Sequence, residues 1–188
     1  WPLLLAIALW IKLDSRGPVF FRQTRAGRQG QPFSIFKFRT MVVDAEKSGY
    51  FTAAGDARVT RAGRFLRATS LDELPQIFNI LKGEMSIVGP RPTLPYQVEQ
   101  YTPYQRRRLE MPPGVTGWAQ INGRNALSWP ERIELDVWYV EHWSLWLDLK
   151  ILLKTPLVWL KGEGVYAEKE KFVVGDGDLD KLVKGGQG

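Results

Sequence analysis

The chain has no cysteine and a single histidine, His142, among 188 residues. Without cysteine there is no disulfide framework, no zinc ribbon and no thiol nucleophile. One histidine excludes a multi-histidine metal site and argues against a Ser-His triad. No Walker-type phosphate loop and no G-x-G-x-x-G occurs. The apolar run at the start, WPLLLAIALWI, covers about 11 residues, whereas a bilayer span needs roughly 20. It also lacks the basic leader and small-residue cleavage site of a signal peptide. Any enzyme chemistry here therefore falls to carboxylates, hydroxyls, lysine and arginine.

What is present is more pointed. The length suits one domain with a sizeable core, and a hydrophobic content of 44% sets the chain apart from disordered sequences. The net charge is +6 and the pI is about 9.6. Such a balance points to an anionic partner: nucleic acid, an acidic membrane surface or a phosphorylated substrate. Eight tryptophans in a chain of positive net charge are the combination favoured at a membrane–water interface, although tryptophan also fills ordinary cores.

Along the chain, the opening run reads either as a buried core helix or as a re-entrant or interfacial segment. VFF begins a strand, RAGRQGQP is a basic turn, and FSIFKFRTMVV is the next strand. Its alternation puts Lys37 and Arg39 on one face, where two cations beside apolar neighbours are either solvated or seeking an anion. A helix begins near Thr60; Arg58, Arg61, Arg64 and Arg67 recur every third residue, which at 100° per residue leaves only neighbouring members on a common face. Ser70 and Glu73 fit a capping box. MSIV and GWAQI read as short strands, residues 95–110 as a polar helix, and SWPERIELDVWYVE as a helix capped by Ser128. LWLDLKILLKTPLVWLK is a broad amphipathic stretch with a lysine stripe (Lys150, Lys154, Lys161), kinked or restarted at Pro156. It suits either core packing or an in-plane membrane helix. Residues 162–188 are rich in glycine and charge and are expected to be mobile.

The stretch SLDELPQIFN carries adjacent acids, Asp72 and Glu73. One reading is structural: acids in a first helical turn complement the helix dipole, and the capping box employs Glu73. The other is chemical. Arg67 lies just upstream, Arg91 is held between Pro90 and Pro92, and Lys37 and Arg39 share a strand. Cations of this kind bind phosphate oxygens. A carboxylate can hold Mg²⁺, which takes one or two acids together with substrate phosphates, or can act as nucleophile through an acyl phosphate.

Taken together, LDSRGPVFFRQ, FKFRTM, RATSLDELPQIFNILKGEMSIVGPRP, PPGVTGWAQINGRNALSW and ELDVWYVEHWSLWLDLKILLKT resemble the bacterial sugar transferase family, the monotopic phosphoglycosyl transferases, over about residues 2–161. The resemblance implies an α+β fold: a mostly helical single domain with a small antiparallel hairpin, amphipathic helices lying in the membrane plane and an N-terminal re-entrant membrane helix. Residues 1–13 would be that helix's second arm, broken at Pro2 and lacking its first arm. Residues 14–161 would be the catalytic domain, and 162–188 a tail. It implies transfer of a sugar phosphate from a UDP-sugar to polyprenol phosphate with release of UMP, at the cytoplasmic face of the bacterial inner membrane, as an initiating step of surface glycan assembly. Asp72 would be the nucleophile and Mg²⁺ ligand and Glu73 its partner. Lys37, Arg39, Arg67 and Pro90–Arg91–Pro92 would serve the phosphates and the active-site frame. GRNALSW resembles members that use N-acetylated amino sugars, and an in-plane apolar face can bury against lipid or a second copy.

Three rival readings make different predictions. A classical glycosyltransferase releases UDP instead of UMP. A basic nucleic-acid-binding module shows salt-sensitive binding to DNA or RNA, and leaves the apolar start and the tryptophan-rich helices without a purpose. A non-catalytic membrane scaffold leaves the acid pair without one.

Overall fold

The computed structural model describes residues 2–49, 52 and 55–161. Helix α1 (Pro2–Asp14) leads into an antiparallel hairpin of β1 (Phe20–Ala26) and β2 (Pro32–Phe38), paired from Phe20↔Phe38 to Ala26↔Pro32. Then come α2 (Arg61–Ala68), a 3₁₀ segment over Leu71–Gln76, α3 (Ile77–Leu81), β3 (Ser86–Val88), α4 (Pro95–Glu99) and α5 (Pro103–Arg106). The chain closes with β4 (Gly114–Thr116), α6 (Trp118–Ile121), α7 (Trp129–Glu141) and α8 (Leu145–Lys161). β3 and β4 form a separate parallel pair. The architecture is the expected α+β, mostly helical with a small hairpin. No helix among the described residues is long and apolar enough to cross a membrane. The expectation for residues 162–188 lies outside the described residues.

Apolar spacing explains the packing. Ile7 and Ile11, one turn apart on α1, meet Phe38 of β2 and Leu66 of α2, with Leu71 and Leu74 of the 3₁₀ segment against them. Asp14 closes this corner: its Oδ2 accepts from the Ala62 amide at 2.9 Å, while Thr60 Oγ1 accepts from the Gly63 amide at 3.0 Å. Two of the unpaired donors at the start of α2 are thus satisfied. A second cluster joins Ala26, Val98, Tyr101, Trp129, Ile133 and Val137. A third joins Val88, Tyr139, Leu147 and Ile151. On α8, Leu147, Ile151 and Thr155 recur every four residues and are buried, while Leu145, Trp146, Leu149, Leu153 and Leu157 are exposed. α1 likewise exposes Leu3, Leu5, Leu9 and Leu13.

Several local expectations change. GWAQI is helical because the strand stops at Thr116, where Gly114 lets β4 come so close that a Cβ there would sit 2.1 Å from the Gly89 nitrogen. The helix expected over residues 95–110 breaks at Tyr101. Thr102 caps a new turn, with Oγ1 accepting from the Gln105 amide at 3.3 Å and Pro103 at the first helical position. Pro156 does not restart α8; the helix runs through it, and Thr155 donates to the Ile151 carbonyl at 2.8 Å. Ser128 and Glu131 do form a capping box at the head of α7. Ser70 and Glu73 do not.

A Cβ on Gly63 would fall 1.9 Å from the Thr40 carbonyl oxygen. Gly63→Ala is expected to lower unfolding free energy by about 2 kcal/mol or more through this overpacking, whereas Arg64→Ala, at an exposed neighbour, changes it by less than about 0.5 kcal/mol. Denaturant unfolding of both variants checks the pair.

Candidate active site

The acid pair is presented by strain and anchored by grease. Ser70 sits at φ 57°, ψ 16°, in left-handed backbone that a serine adopts at some energetic cost. This reverses the chain after α2 and starts the 3₁₀ segment. In such a helix residues three apart eclipse, so Leu71 and Leu74 bury one side together in the Phe38–Leu66 cluster. Asp72 and Glu73 are left on the remaining sides. The flanking leucines are the reason two adjacent carboxylates can be held beside a core.

Their partners come from distant elements. Lys37 on β2 donates to Glu73 Oε1 at 2.9 Å, and Arg91 Nη2 donates to the same oxygen at 2.7 Å. Glu73 is buried, and burial opposes its charge; Arg91 and Lys37, through charge and hydrogen bonds, outweigh that and hold the carboxyl well below the usual range. Asp72 behaves oppositely. Burial pushes it up to about 6 against the pull of Lys37, with Glu73 adding to the rise and Arg67 and Arg91 opposing it. Among the described residues the Asp72 carboxylate makes no hydrogen bond or ion pair. One acid is clamped as an anion, and its neighbour faces open space. Burial lowers the pKa of Lys37, with Glu73 working the other way.

That space is a cavity of about 440 Å³, lined by Lys37, Arg39, Arg67, Asp72, Arg91 and Pro92 among others. Six of the eight residues singled out in the sequence therefore border it. Glu73 is tied to it through Lys37 and Arg91. The Pro90–Arg91–Pro92 turn is fixed at successive carbonyls: Pro90 O accepts from the Gly114 amide at 2.9 Å, Arg91 O from Arg108 Nη2 at 2.9 Å, and Pro92 O from Arg25 Nη1 at 3.4 Å. Arg39 is employed differently from Lys37. Its guanidinium turns to the Arg16 and Ser15 carbonyls and to Ser15 Oγ, bracing the turn after α1. The two cations expected to project together therefore diverge.

Four arginines went unnoticed in the sequence. Arg108, one of three in QRRRLE, is buried in an ion pair with Asp136 and donates to Tyr101 Oη at 2.6 Å. Nothing in a run of three arginines says which one turns inward. Arg124, also at positive φ (52°), donates to Ser70 Oγ at 3.1 Å, joining two strained positions beside the acids. Arg25 and Arg132 line the cavity. Among the described residues no group of three or more His, Cys, Asp or Glu stands ready for a metal.

Comparison with known proteins identifies the family. The model of the family described as "Bacterial sugar transferase" matches residues 1–162. The chain is 48% identical over 181 residues to an uncharacterized sugar transferase, EpsL, of Bacillus subtilis, covering 94% of this chain and 88% of that protein. It is 48% identical over 163 residues to the UDP-glucose:undecaprenyl-phosphate glucose-1-phosphate transferase of Escherichia coli, covering 82% of this chain and 35% of the relative. It is 42% identical over 179 residues to the undecaprenyl-phosphate galactose phosphotransferase of Salmonella typhimurium, covering 86% and 38%. The chain belongs to the bacterial sugar transferase family and is an enzyme of the transferase class. It spans most of the Bacillus relative and little more than a third of the other two.

The split acids give opposite linkages. Asp72, raised from 3.8 to about 6, favours folding most when protonated, and that contribution is lost as pH rises through about 6. Asp72→Asn is therefore expected to unfold at higher temperature than wild type at pH 8, with the gap closing near pH 4. Glu73, depressed, stabilises above its usual titration range and loses this in acid. Glu73→Gln should cost about 1–3 kcal/mol at pH 7, toward the lower end because Arg91 is 42% exposed. Thermal scans across pH read both.

Proposed function

We propose that this chain carries the catalytic site of a phosphoglycosyl transferase: it moves a sugar phosphate from a UDP-sugar to polyprenol phosphate and releases UMP. The observation that carries this reading is the asymmetry of the acid pair. A carboxylate without a hydrogen-bond or ion-pair partner among the described residues, held beside Lys37, Arg67 and Arg91, is free to form a bond to phosphorus. Its neighbour, clamped by two cations, fixes the frame. The names of the Escherichia coli and Salmonella relatives describe sugar-phosphate transfer to undecaprenyl phosphate, and support the same chemistry here.

In the proposed sequence an Asp72 oxygen attacks the β-phosphorus in line. The bond from that phosphorus to the bridging oxygen breaks, and the electron pair leaves with UMP. A phosphosugar–aspartate acyl phosphate, a mixed anhydride, results. A phosphate oxygen of the polyprenol acceptor then attacks the same phosphorus, and the Asp72–phosphorus bond breaks to restore the carboxylate. Lys37, Arg67 and Arg91 neutralise phosphate charge and hold the reacting phosphorus against Asp72. Glu73 keeps Lys37 and Arg91 in place. Asp72 is the residue that would hold Mg²⁺, and a lone acid suits an ion carried largely by substrate phosphates instead of by a protein cage. Mg²⁺ would supply charge neutralisation at the diphosphate.

The acceptor's phosphate stays in the headgroup layer, so the site belongs at a bilayer surface. The exposed leucines of α1 and the exposed Leu145, Trp146, Leu149, Leu153 and Leu157 of α8 suit helices lying in the membrane interface, at the cytoplasmic leaflet where UDP-sugars are found.

The test is product analysis. Protein incubated with a panel of UDP-sugars and polyprenol phosphate should release UMP with the matching sugar. Asp72→Asn should lose at least about a thousandfold in turnover, in line with removal of a nucleophile. Chelation of divalent ions should stop turnover and added Mg²⁺ restore it. Release of UDP, or undiminished turnover by Asp72→Asn, contradicts the proposal.

A further inference from the structure

The cavity is larger than one phosphate needs. Besides the residues around Asp72, its wall includes Arg25, Pro92, Leu94, Gln97, Trp129 and Arg132. Arg91 bears on the charge of both Asp72 and Arg132. Trp129 and Arg132 open α7 and are both more than nine-tenths buried, at 8% exposure each. The sequence explains their pose: Ser128 and Pro130 begin the helix, and residues three apart share a face, so the Arg132 guanidinium lies over the Trp129 ring at 5.5 Å.

Both side chains are incompletely used by the protein. Trp129 Nε1 is buried and makes no hydrogen bond among the described residues. Arg132 directs Nε and Nη2 to one acceptor, the Leu127 carbonyl, at 3.1 and 2.9 Å. Its Nη1 has no acceptor, and the residue has no ion pair, among the described residues. Asp136, the acid that acts on its charge, is already paired with Arg108. Arg91 and Arg108 add positive charge beside it. Burial, then Arg91, push the Arg132 guanidinium down to about 10. A buried cation short of an anion, next to a buried donor short of an acceptor, is the surface an anionic, oxygen-rich ligand would complete.

We propose that the Trp129–Arg132 wall is the leaving-group subsite, in which Arg132 binds the phosphate of the nucleoside monophosphate half of the donor and Trp129 Nε1 donates to an oxygen of its ribose or base. This rests on the reading of the protein as a UDP-sugar-using phosphoglycosyl transferase and specifies where the nucleotide lies. The phosphorus attacked by Asp72 lies against that carboxylate, and Arg91, which bears on both Asp72 and Arg132, bridges the two phosphates. The α-phosphate gains charge as the bridging bond breaks, so Arg132 assists departure as well as binding.

The same cation chemistry would also suit the phosphate of the lipid acceptor, and the experiment separates the two. The full chain, its Trp129→Phe variant, which keeps the ring and removes only the N–H, and its Arg132→Ala and Arg132→Lys variants are assayed for UMP binding by calorimetry and for KM toward each substrate. The expected result is UMP binding about tenfold weaker in Trp129→Phe and at least about tenfold weaker in Arg132→Ala. Arg132→Lys should recover part of the loss. KM for the UDP-sugar should rise in parallel and KM for polyprenol phosphate stay unchanged. Unaltered UMP binding in the Trp129 and Arg132 variants, or a rise confined to KM for polyprenol phosphate, overturns the subsite. Unfolding temperatures are measured alongside; UMP binding that falls only in variants with reduced unfolding temperature also overturns it. Wild-type protein that turns over but releases no UMP defeats the parent reading instead, before any variant is compared.

Discussion

A single carboxylate oxygen organises this molecule. Glu73 Oε1 receives Lys37 from the hairpin and Arg91 from the Pro-Arg-Pro turn, bringing together segments 36 and 18 residues away from it in sequence. A buried acid tolerates its charge only when so compensated. Two cations on one oxygen leave Lys37 and Arg91 with surplus positive charge toward the cavity. Asp72 borders that cavity with no partner of its own among the described residues. The electrostatics of the site follow from this inequality between neighbours: one acid is saturated and the other is available.

The scaffold around the pair serves rigidity. The Pro90–Arg91–Pro92 turn has its carbonyls taken by Gly114, Arg108 and Arg25, so Arg91 has little freedom to leave Glu73. Arg108 is in turn locked by Asp136 and Tyr101. On the opposite flank Ser70 and Arg124, both in left-handed backbone, are joined through the serine hydroxyl. Strain of this kind persists only where surrounding contacts overdetermine it, and it concentrates at functional sites. Prolines, buried arginines and strained turns all bear on one short 3₁₀ segment.

Much of this was legible in the sequence and some was not, for a physical reason. Helix starts at Thr60 and Ser128 follow from local capping chemistry and appear as expected. Ser70 and Glu73 carry the same local pattern, yet Glu73 abandons the cap because Lys37 and Arg91 reward it more. That competition involves partners no local window contains. Lys37 and Arg39 alternate correctly on paper, but β2 ends at Phe38 and the carbonyls of residues 15 and 16 capture Arg39. Arg108 and Arg132 escape notice in the sequence because periodicity reports which face is polar, not which polar residue a tertiary contact will bury. The family's motifs filled this gap for the acids and for the Pro-Arg-Pro turn; they did not for Trp129 and Arg132.

The most direct test of the account is mass spectrometry of the protein after incubation with its UDP-sugar and Mg²⁺ in the absence of polyprenol phosphate. A mass increase of one sugar phosphate, mapped to Asp72 and discharged when polyprenol phosphate is added, is the result the account predicts. Turnover with no such adduct at any time, or an adduct mapped to Glu73 instead, would contradict it.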